Sequence, residues 1–215
     1  MVGAVAIVAV CAATATVVTR EEGSRHQLRQ VAMPIPPIPP IPLIQPKPSP
    51  PNRPQPKPAC TTTGRPFVPT SVSLPGIADA VGVLALRRGT DGAPGSPPLS
   101  KTGKTEMAFD LGSGIRPGDP QGNALLNAHT WPDGSALGNK LLADLRQGDQ
   151  IVVHGLLGQI CYQVTDRVQV PAADPGVRYF AKTGPPQIAI IVCSGQRLGP
   201  GEWTERTIWY AAPQA

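Results

Sequence analysis

Three side chains of this 215-residue sequence have the chemistry needed for catalysis by a thiol. Cys193 ends the apolar run IAIIVC, His129 follows the apolar run NALLNA, and Arg206 opens a third run, RTIWYAA. A thiolate attacks carbonyl carbon atoms, a histidine transfers protons near neutral pH, and a guanidinium stabilises an oxyanion with fixed donors. Each residue borders a run with the composition of a buried strand, so a sheet could aim all three into one cleft.

Each of these residues also has a simpler interpretation, which the sequence leaves open. Cys193 could be a small buried hydrophobic residue, the usual role of a cysteine within a strand. His129 could be a loop histidine held by local hydrogen bonds. Arg206 could form a surface ion pair with Glu202 or Glu205.

Other residues with the same chemistry are weaker candidates. Arg197 lies within the loop that separates Cys193 from Arg206, and His154 lies in a strand-to-turn stretch expected at the surface. His26 falls in a polar segment and is expected to be inert. No two cysteines form a C-x-x-C pair, which gives zinc or redox motifs no support. We expect Cys161 in the core, and a disulfide between Cys60 and Cys161 stays open.

The overall charge does not indicate a nucleic-acid-binding protein. The formal net charge is +5 and the calculated pI is about 9.3, but the basic residues are dispersed. The longest basic cluster is the pair Arg87-Arg88, and no aromatic residues are interleaved with basic ones. The balance is typical of a mildly basic protein in an anionic cell envelope.

Residues 1–19 contain no charged side chain and precede Arg20-Glu21-Glu22. Their length suits a single transmembrane anchor, which needs about 17–25 residues. The alternative is a cleaved secretory signal with Ala13-Thr14-Ala15 at its cleavage site. Both interpretations place the rest of the chain outside the cytoplasm, and we favour the anchor because the apolar run is longer than a typical signal core.

A proline-rich linker follows within the polar segment 20–64. Residues 34–58 hold 13 prolines in 25 positions, which excludes a helix or a central strand. Such a segment predicts a polyproline-II stalk about 80 Å long when fully extended. We expect it to raise a folded domain, residues 65–215, above the membrane, rather than to serve as a docking site for a polyproline-binding partner.

The domain itself has the pattern of a mainly β protein. Short apolar runs separated by Gly and Pro predict strands at VSLPGI, VGVLAL, NALLNA, QIVVHG, ICYQVTD, QIAIIVC and RTIWYAA. The Gly155–Gly158 segment predicts a hairpin connection, and the region 89–122 is expected to be mostly loop. Leucines spaced four residues apart predict one helix from about Ser135 to Gln147, stopped by Gly148. Many short strands with one or two short helices indicate a closed β-barrel of about eight strands.

These segments together resemble the sortases, and most closely the class F sortases of actinobacteria. The resemblance runs from about Val68 to Ala212. It rests on Ala128-His129, on the approach PGDPQGNALLNAH, on the turn from Leu142 to Asp149, and on Arg206 opening the last strand. The family motif TLxTC corresponds to residues 189–193, where Ala189 and Val192 replace the two threonines.

The resemblance implies a fold and an activity. The fold is a sortase-like barrel, and the activity is cysteine transpeptidation of an LPxTG-like sorting signal. By this resemblance Cys193 is the nucleophile, His129 is the general acid and base, and Arg206 positions the substrate and stabilises the oxyanion. No metal or organic cofactor is implied. The implied partners are surface proteins with a C-terminal sorting signal, an amine of the cell envelope, and the membrane through the N-terminal segment.

Two alternatives to this expectation are a second type of cysteine enzyme and a non-catalytic domain. A peptidoglycan L,D-transpeptidase would carry a histidine close before its cysteine, whereas Ile190-Ile191-Val192 precedes Cys193. A non-catalytic envelope-binding or scaffolding domain would retain the barrel without turnover, and the altered TLxTC motif keeps this alternative open. The sequence does not name the preferred signal or the accepting amine.

Overall fold

A computed structural model describes residues 65–156 and 158–214 of the chain. The predicted anchor, the proline-rich stalk and Cys60 lie outside these residues. Of the helices in the described part, none has the length and apolar character needed to cross a membrane.

Eight strands and one α-helix form the described chain. The strands are β1 (Pro69–Leu74), β2 (Ala78–Leu86), β3 (Met107–Asp110), β4 (Asn123–Ala128), β5 (Gln150–Gly155), β6 (Gly158–Pro171), β7 (Gln187–Gly199) and β8 (Glu202–Pro213). The helix, α1, spans Leu137–Asp144, and two short 3-10 turns cover Gly103–Thr105 and Leu111–Ser113. All seven predicted strand segments contribute to this set.

The strands close into a barrel in the order β1-β2-β3-β4-β7-β8-β6-β5, and β5 pairs back onto β1. The pairs β2–β3 and β4–β7 are parallel, and the other neighbours are antiparallel. Parallel neighbours need long connections, so the chain between β4 and β7 includes α1, β5 and β6. The closed barrel expected from the sequence is confirmed.

Strands β4, β7 and β8 are apolar on both faces because both faces are covered. Ala124, Leu126, Ile190 and Trp209 point into the barrel core. The alternate positions form a second cluster on the outer face, which consists of Leu125, Ala189, Ile208, Tyr210 and, from the β6–β7 connection, Tyr179. Successive residues of a strand point to opposite faces of the sheet, and residues two positions apart share a face. The continuous apolar runs in the sequence follow from this double coverage.

The helix is shorter than predicted. It ends at Asp144, and Leu145 already has extended backbone angles, φ −76° and ψ 122°. The carbonyl of Leu145 accepts a hydrogen bond from the indole N–H of buried Trp209 at 3.1 Å, which draws this residue out of the helix into the core. Gly148 adopts φ +90° in the turn that follows, so it does not cap the helix as predicted.

Two further details correct the predicted elements. Strand β3 lies within the region 89–122 expected to be mostly loop; its four residues are all buried, but a run this short carries no periodic signal. The predicted VSLPGI strand ends at Leu74, where Ile77 N–H donates to the Leu74 carbonyl at 2.9 Å in a turn with Gly76 at φ +82°. The predicted hairpin is confirmed, since Gly155 pairs with Gly158.

Candidate active site

The strand register brings the three candidate residues side by side. Ala128 pairs with Val192 in the parallel β4–β7 ladder, so His129, the next residue after β4, lies beside Cys193. In the antiparallel β7–β8 ladder Cys193 pairs directly with Arg206. Neighbouring strands are about 4.8 Å apart. The three residues therefore occupy adjacent positions across the sheet.

The alternation of side chains along β7 and β8 places Cys193 and Arg206 on the same face of the sheet. Cys193 follows Ala189 and Ile191 at steps of two, and Arg206 precedes Ile208 at a step of two. Both belong to the outer face of the sheet, away from the barrel core. A pocket of about 510 Å³ opens there, lined by His129, Cys193 and Arg206 among others.

The other walls of the pocket come from two connections. Residues 91–94 and Ser96 of the β2–β3 connection form one wall. Pro175, Tyr179 and Phe180 of the β6–β7 connection form another, together with Arg88, which lies two residues after the end of β2. The pocket surface is mainly apolar with a few polar groups, as is typical of a site that binds a small molecule or a peptide segment.

Cys193 is a free, partly exposed thiol. Burial raises its pKa, and the positive charge of Arg206 acts in the opposite direction. The thiol is therefore mainly protonated at neutral pH, and nucleophilic attack needs a proton acceptor beside it.

The pH dependence of alkylation tests this balance. We expect the rate of Cys193 modification by iodoacetamide to rise with pH, with a midpoint above that of an ordinary cysteine, because burial raises the thiol pKa. Arg206→Gln should move the midpoint still higher, because it removes the charge that lowers the pKa. Exposed Arg197 offers a matched control, and Arg197→Gln should leave the midpoint unchanged. A midpoint that falls in Arg206→Gln would contradict this electrostatic account.

His129 is held by the β2–β3 connection. Its Nε2 lies 2.6 Å from the carbonyl oxygen of Pro97. A carbonyl can only accept, so Nε2 carries a proton and donates it. Nδ1 has no hydrogen-bond partner among the described residues and is left as the nitrogen that can take up a proton.

Arg206 does not form the surface ion pair that was its alternative interpretation. Its Nη1 donates to the carbonyl of Glu205 at 3.0 Å. Within the described residues it makes no ion pair with Glu202 or Glu205. The rest of its guanidinium has no hydrogen-bond partner there, which leaves donors for a ligand in the pocket.

Buried hydroxyl groups support the backbone around Cys193. Thr130 Oγ1 donates to the Cys193 carbonyl at 2.7 Å and so ties the segment after β4 to β7. On the next position, Thr207 Oγ1 donates to Ser194 Oγ at 3.0 Å inside the protein. These bonds fix the register at the level of the three candidate residues.

The structure adds pocket residues that the sequence did not indicate. Arg88 makes a bidentate ion pair with the fully buried carboxylate of Asp110, with Nη2 to Oδ2 at 2.7 Å, and its guanidinium lies 5.6 Å from the ring centre of Phe180. Tyr179 is buried, and its hydroxyl has no hydrogen-bond partner among the described residues. In the sequence Arg88 was only half of a basic pair, so its burial and its partner depend on tertiary contacts alone.

The weaker candidates lie elsewhere. His154 is on β5, where its Nε2 forms a hydrogen bond with Ser73 Oγ at 3.2 Å. Arg197 lies in strand β7, which extends to Gly199, and not in a loop as predicted; its side chain is exposed. Cys161 is fully buried, as expected, and is disulfide-bonded. None of the three lines the pocket.

Residues for a metal site are not assembled in the described ranges. In residues 65–156 and 158–214, no group of three or more His, Cys, Asp and Glu side chains could hold a metal ion.

Known structures share this barrel. It is similar to sortase C-1 of Actinomyces oris (TM-score 0.51, 18% identity, covering 70% of this chain and 74% of that one). It is also similar to sortase A of Listeria monocytogenes (TM-score 0.50, 18% identity, 70% and 89%) and to sortase C1 of Streptococcus agalactiae (TM-score 0.50, 16% identity, 67% and 68%). No protein-family model matches the sequence, and no curated protein does. The chain therefore has the sortase fold, shared with structures of classes A and C.

Proposed function

We propose that this chain is a cysteine transpeptidase of the sortase type that acts on a sorting signal similar to LPxTG. The observation that carries the proposal is that His129, directly after β4, and the paired strand residues Cys193 and Arg206 line one pocket. The sortase fold of the barrel supports it, together with the resemblance of the sequence motifs to the sortases. The resemblance to class F rests on the sequence motifs.

In the proposed first half-reaction, Cys193 Sγ attacks the carbonyl carbon of the scissile peptide bond. His129 takes the thiol proton at Nδ1 and gives it to the leaving amine as the carbon–nitrogen bond breaks. Arg206 donates hydrogen bonds to the carbonyl oxygen while it carries negative charge. The products are a thioester on Cys193 and a free amine.

The second half-reaction reverses these roles. An incoming amine attacks the thioester carbon, and His129 accepts the proton that this amine loses. The carbon–sulfur bond breaks, and the sulfur leaves and regains its proton from His129. Both steps use the same two residues. The fraction of enzyme in the reactive ionisation state is therefore set by the joint protonation of Cys193 and His129, and not by either residue alone.

Both positions at which the family motif has threonine, Ala189 and Val192, are buried in this protein. Val192 is 2% exposed and belongs to the barrel core, while Ala189 is fully buried against Tyr179 and Tyr210. Hydroxyl groups at these positions would be buried and would need partners. The two replacements leave Cys193, His129 and Arg206 in place, so we expect activity to be retained, and the preferred sorting signal has to be measured.

The proposed setting is the outer face of the cell membrane. The uncharged N-terminal segment would anchor the chain, and the proline-rich linker would hold the barrel above the surface. Secretion after cleavage of a signal is the alternative. Surface proteins with a C-terminal signal would be the acyl donors, and an amine of the cell envelope would be the acceptor.

The first test uses the soluble domain, a quenched LPxTG-type peptide and an amine such as triglycine. We expect peptide cleavage together with an amine adduct detected by mass spectrometry. Arg206→Ala should lower kcat/KM by about 10²–10³-fold, since it removes oxyanion donors. Arg197→Ala, from the same hairpin, should retain the wild-type rate. Absence of cleavage over a panel of related signals, with Cys193 unreactive toward alkylation, would favour the non-catalytic envelope-binding domain instead.

A further inference from the structure

One wall of the pocket is tied directly to the strand that carries the histidine. This wall, residues 91–97 of the β2–β3 connection, is called the strap below. Asn127 Nδ2 donates to the carbonyl of Gly95 at 2.8 Å, and His129 Nε2 donates to the carbonyl of Pro97 at 2.6 Å. Asn127 and His129 are two positions apart and contact carbonyls two positions apart. The strap thus runs beside the end of β4 with matched spacing.

Close packing fixes the position of the strap. A Cβ atom on Gly95 would lie 2.8 Å from both the Arg87 carbonyl oxygen and Leu86 Cβ, so only glycine fits at this point. Pro97 itself is buried. Gly103 packs so closely that an added Cβ would lie 2.0 Å from the Pro98 carbonyl oxygen. The carbonyls of Gly95 and Pro97 are therefore held in place before any substrate binds.

We propose that the Pro97 carbonyl orients the general base, and that Asn127 is a positioning residue that holds this carbonyl through Gly95. Catalytic histidines work in the correct tautomer when a third group accepts a hydrogen bond from the distal nitrogen. Here the third group is a backbone oxygen. It accepts a hydrogen bond from the Nε2–H group, which leaves Nδ1 to exchange protons with the thiol. The carbonyl dipole also stabilises the positive ring that forms when Nδ1 is protonated. This inference rests on the proposed function, but its geometry is a property of the free protein.

The tautomer of His129 in the substrate-free protein is the direct test. At a pH where the ring is neutral, nitrogen-15 NMR should show a protonated Nε2 and an unprotonated Nδ1. Asn127→Ala should turn this signal into a mixture of tautomers and lower kcat by about 10-fold, with KM changed less than about 2-fold. Gly95→Ala should give the same mixture of tautomers, because the added Cβ displaces the strap itself, whereas Asn127→Ala removes the hydrogen bond that holds it.

The matched control is Asn123→Ala. Asn123 is on the same strand and also donates to loop carbonyls, those of Arg178 at 2.6 Å and Tyr179 at 3.1 Å, but it does not touch the strap. Its loss should leave the His129 tautomer unchanged. Two results would overturn the inference. One is a wild-type His129 that is protonated at Nδ1; the other is a retained Nε2–H signal with unchanged kcat in both Asn127→Ala and Gly95→Ala. Failure of the wild type to cleave any sorting peptide, with the tautomer as expected, would sink the proposed function and leave the orienting contact standing.

Discussion

Cys193→Ala should lower both peptide cleavage and amine adduct formation by at least about 10⁴-fold. The variant lacks the only atom in the proposed mechanism that can form the thioester, so no acyl-enzyme should be detected by intact mass spectrometry. Cys193 is a free thiol at the pocket surface, and its replacement removes no hydrogen bond from the barrel. We therefore expect the variant to fold with near wild-type stability, which circular dichroism and thermal denaturation would check.

The histidine provides the companion measurement. His129→Ala should cause a loss of similar size, and the double variant with Cys193→Ala should be little worse than either single variant, because the two residues act as a unit. His154→Ala is the matched control: it removes a histidine that bonds to Ser73 far from the pocket, and it should keep full activity. Losses that multiply in the double variant would mean that His129 acts independently of the thiol.

Arg88→Met should destabilise the protein by about 3–5 kcal/mol. The Asp110 carboxylate is fully buried, and it receives hydrogen bonds from Arg88 Nε and Nη2 and from the Gly112 backbone N–H at 2.8 Å. Methionine keeps an unbranched apolar stem like that of arginine but removes the compensating charge, so the carboxylate stays buried without its ionic partner. Urea denaturation followed by tryptophan fluorescence would measure the change in the free energy of unfolding.

A second, more exposed ion pair provides a control for the cost in free energy of unfolding. Arg178 pairs with Asp166 at 2.5 Å, but their side chains are 51% and 39% exposed. Arg178→Met should therefore cost only about 0–1 kcal/mol. Combining Arg88→Met with Asp110→Asn should recover much of the loss, because a neutral amide oxygen still accepts from Gly112. An equal cost for the two single variants would show that burial of Asp110 does not determine the energy.

The sequence predicts those parts of the fold that depend on local patterns of apolar residues and on short connections. Strands β4 and β7 are apolar runs of β type that local composition predicts, and strands joined by a single connection, as β7 and β8 are, tend to pair. The register that sets Cys193 opposite Arg206 within this pair comes from the structure. The pairing of β4 with β7 is different: 58 residues separate Ala128 from Gln187 in the chain. Nothing local indicates this contact, and only the resemblance to a known family placed His129 beside the thiol.

The missed features share a physical origin. Strand β3 has four residues and is identified by its partners β2 and β4 rather than by its own composition. Arg88 is held at the pocket by its ion pair with Asp110 of β3, and Tyr179 by packing against the outer-face residues Ala189 and Tyr210. Pro97 contributes a backbone oxygen, which every residue has. A side chain's chemistry can be read from a sequence, but the contribution of a main-chain atom depends entirely on where the chain passes.

The two kinds of support around the pocket differ in how they respond to local unfolding. Cys193 and Arg206 are held by ladders of the closed barrel, whose amides we expect to exchange with solvent through larger, more cooperative openings. The strap is held by two side-chain bonds and close packing, so its amides exchange through a smaller, local opening. The thiol and the orientation of the histidine thus belong to different cooperative units. We expect mild denaturant to disorient His129 while Cys193 stays in place, so the proposed activity would be lost before the fold.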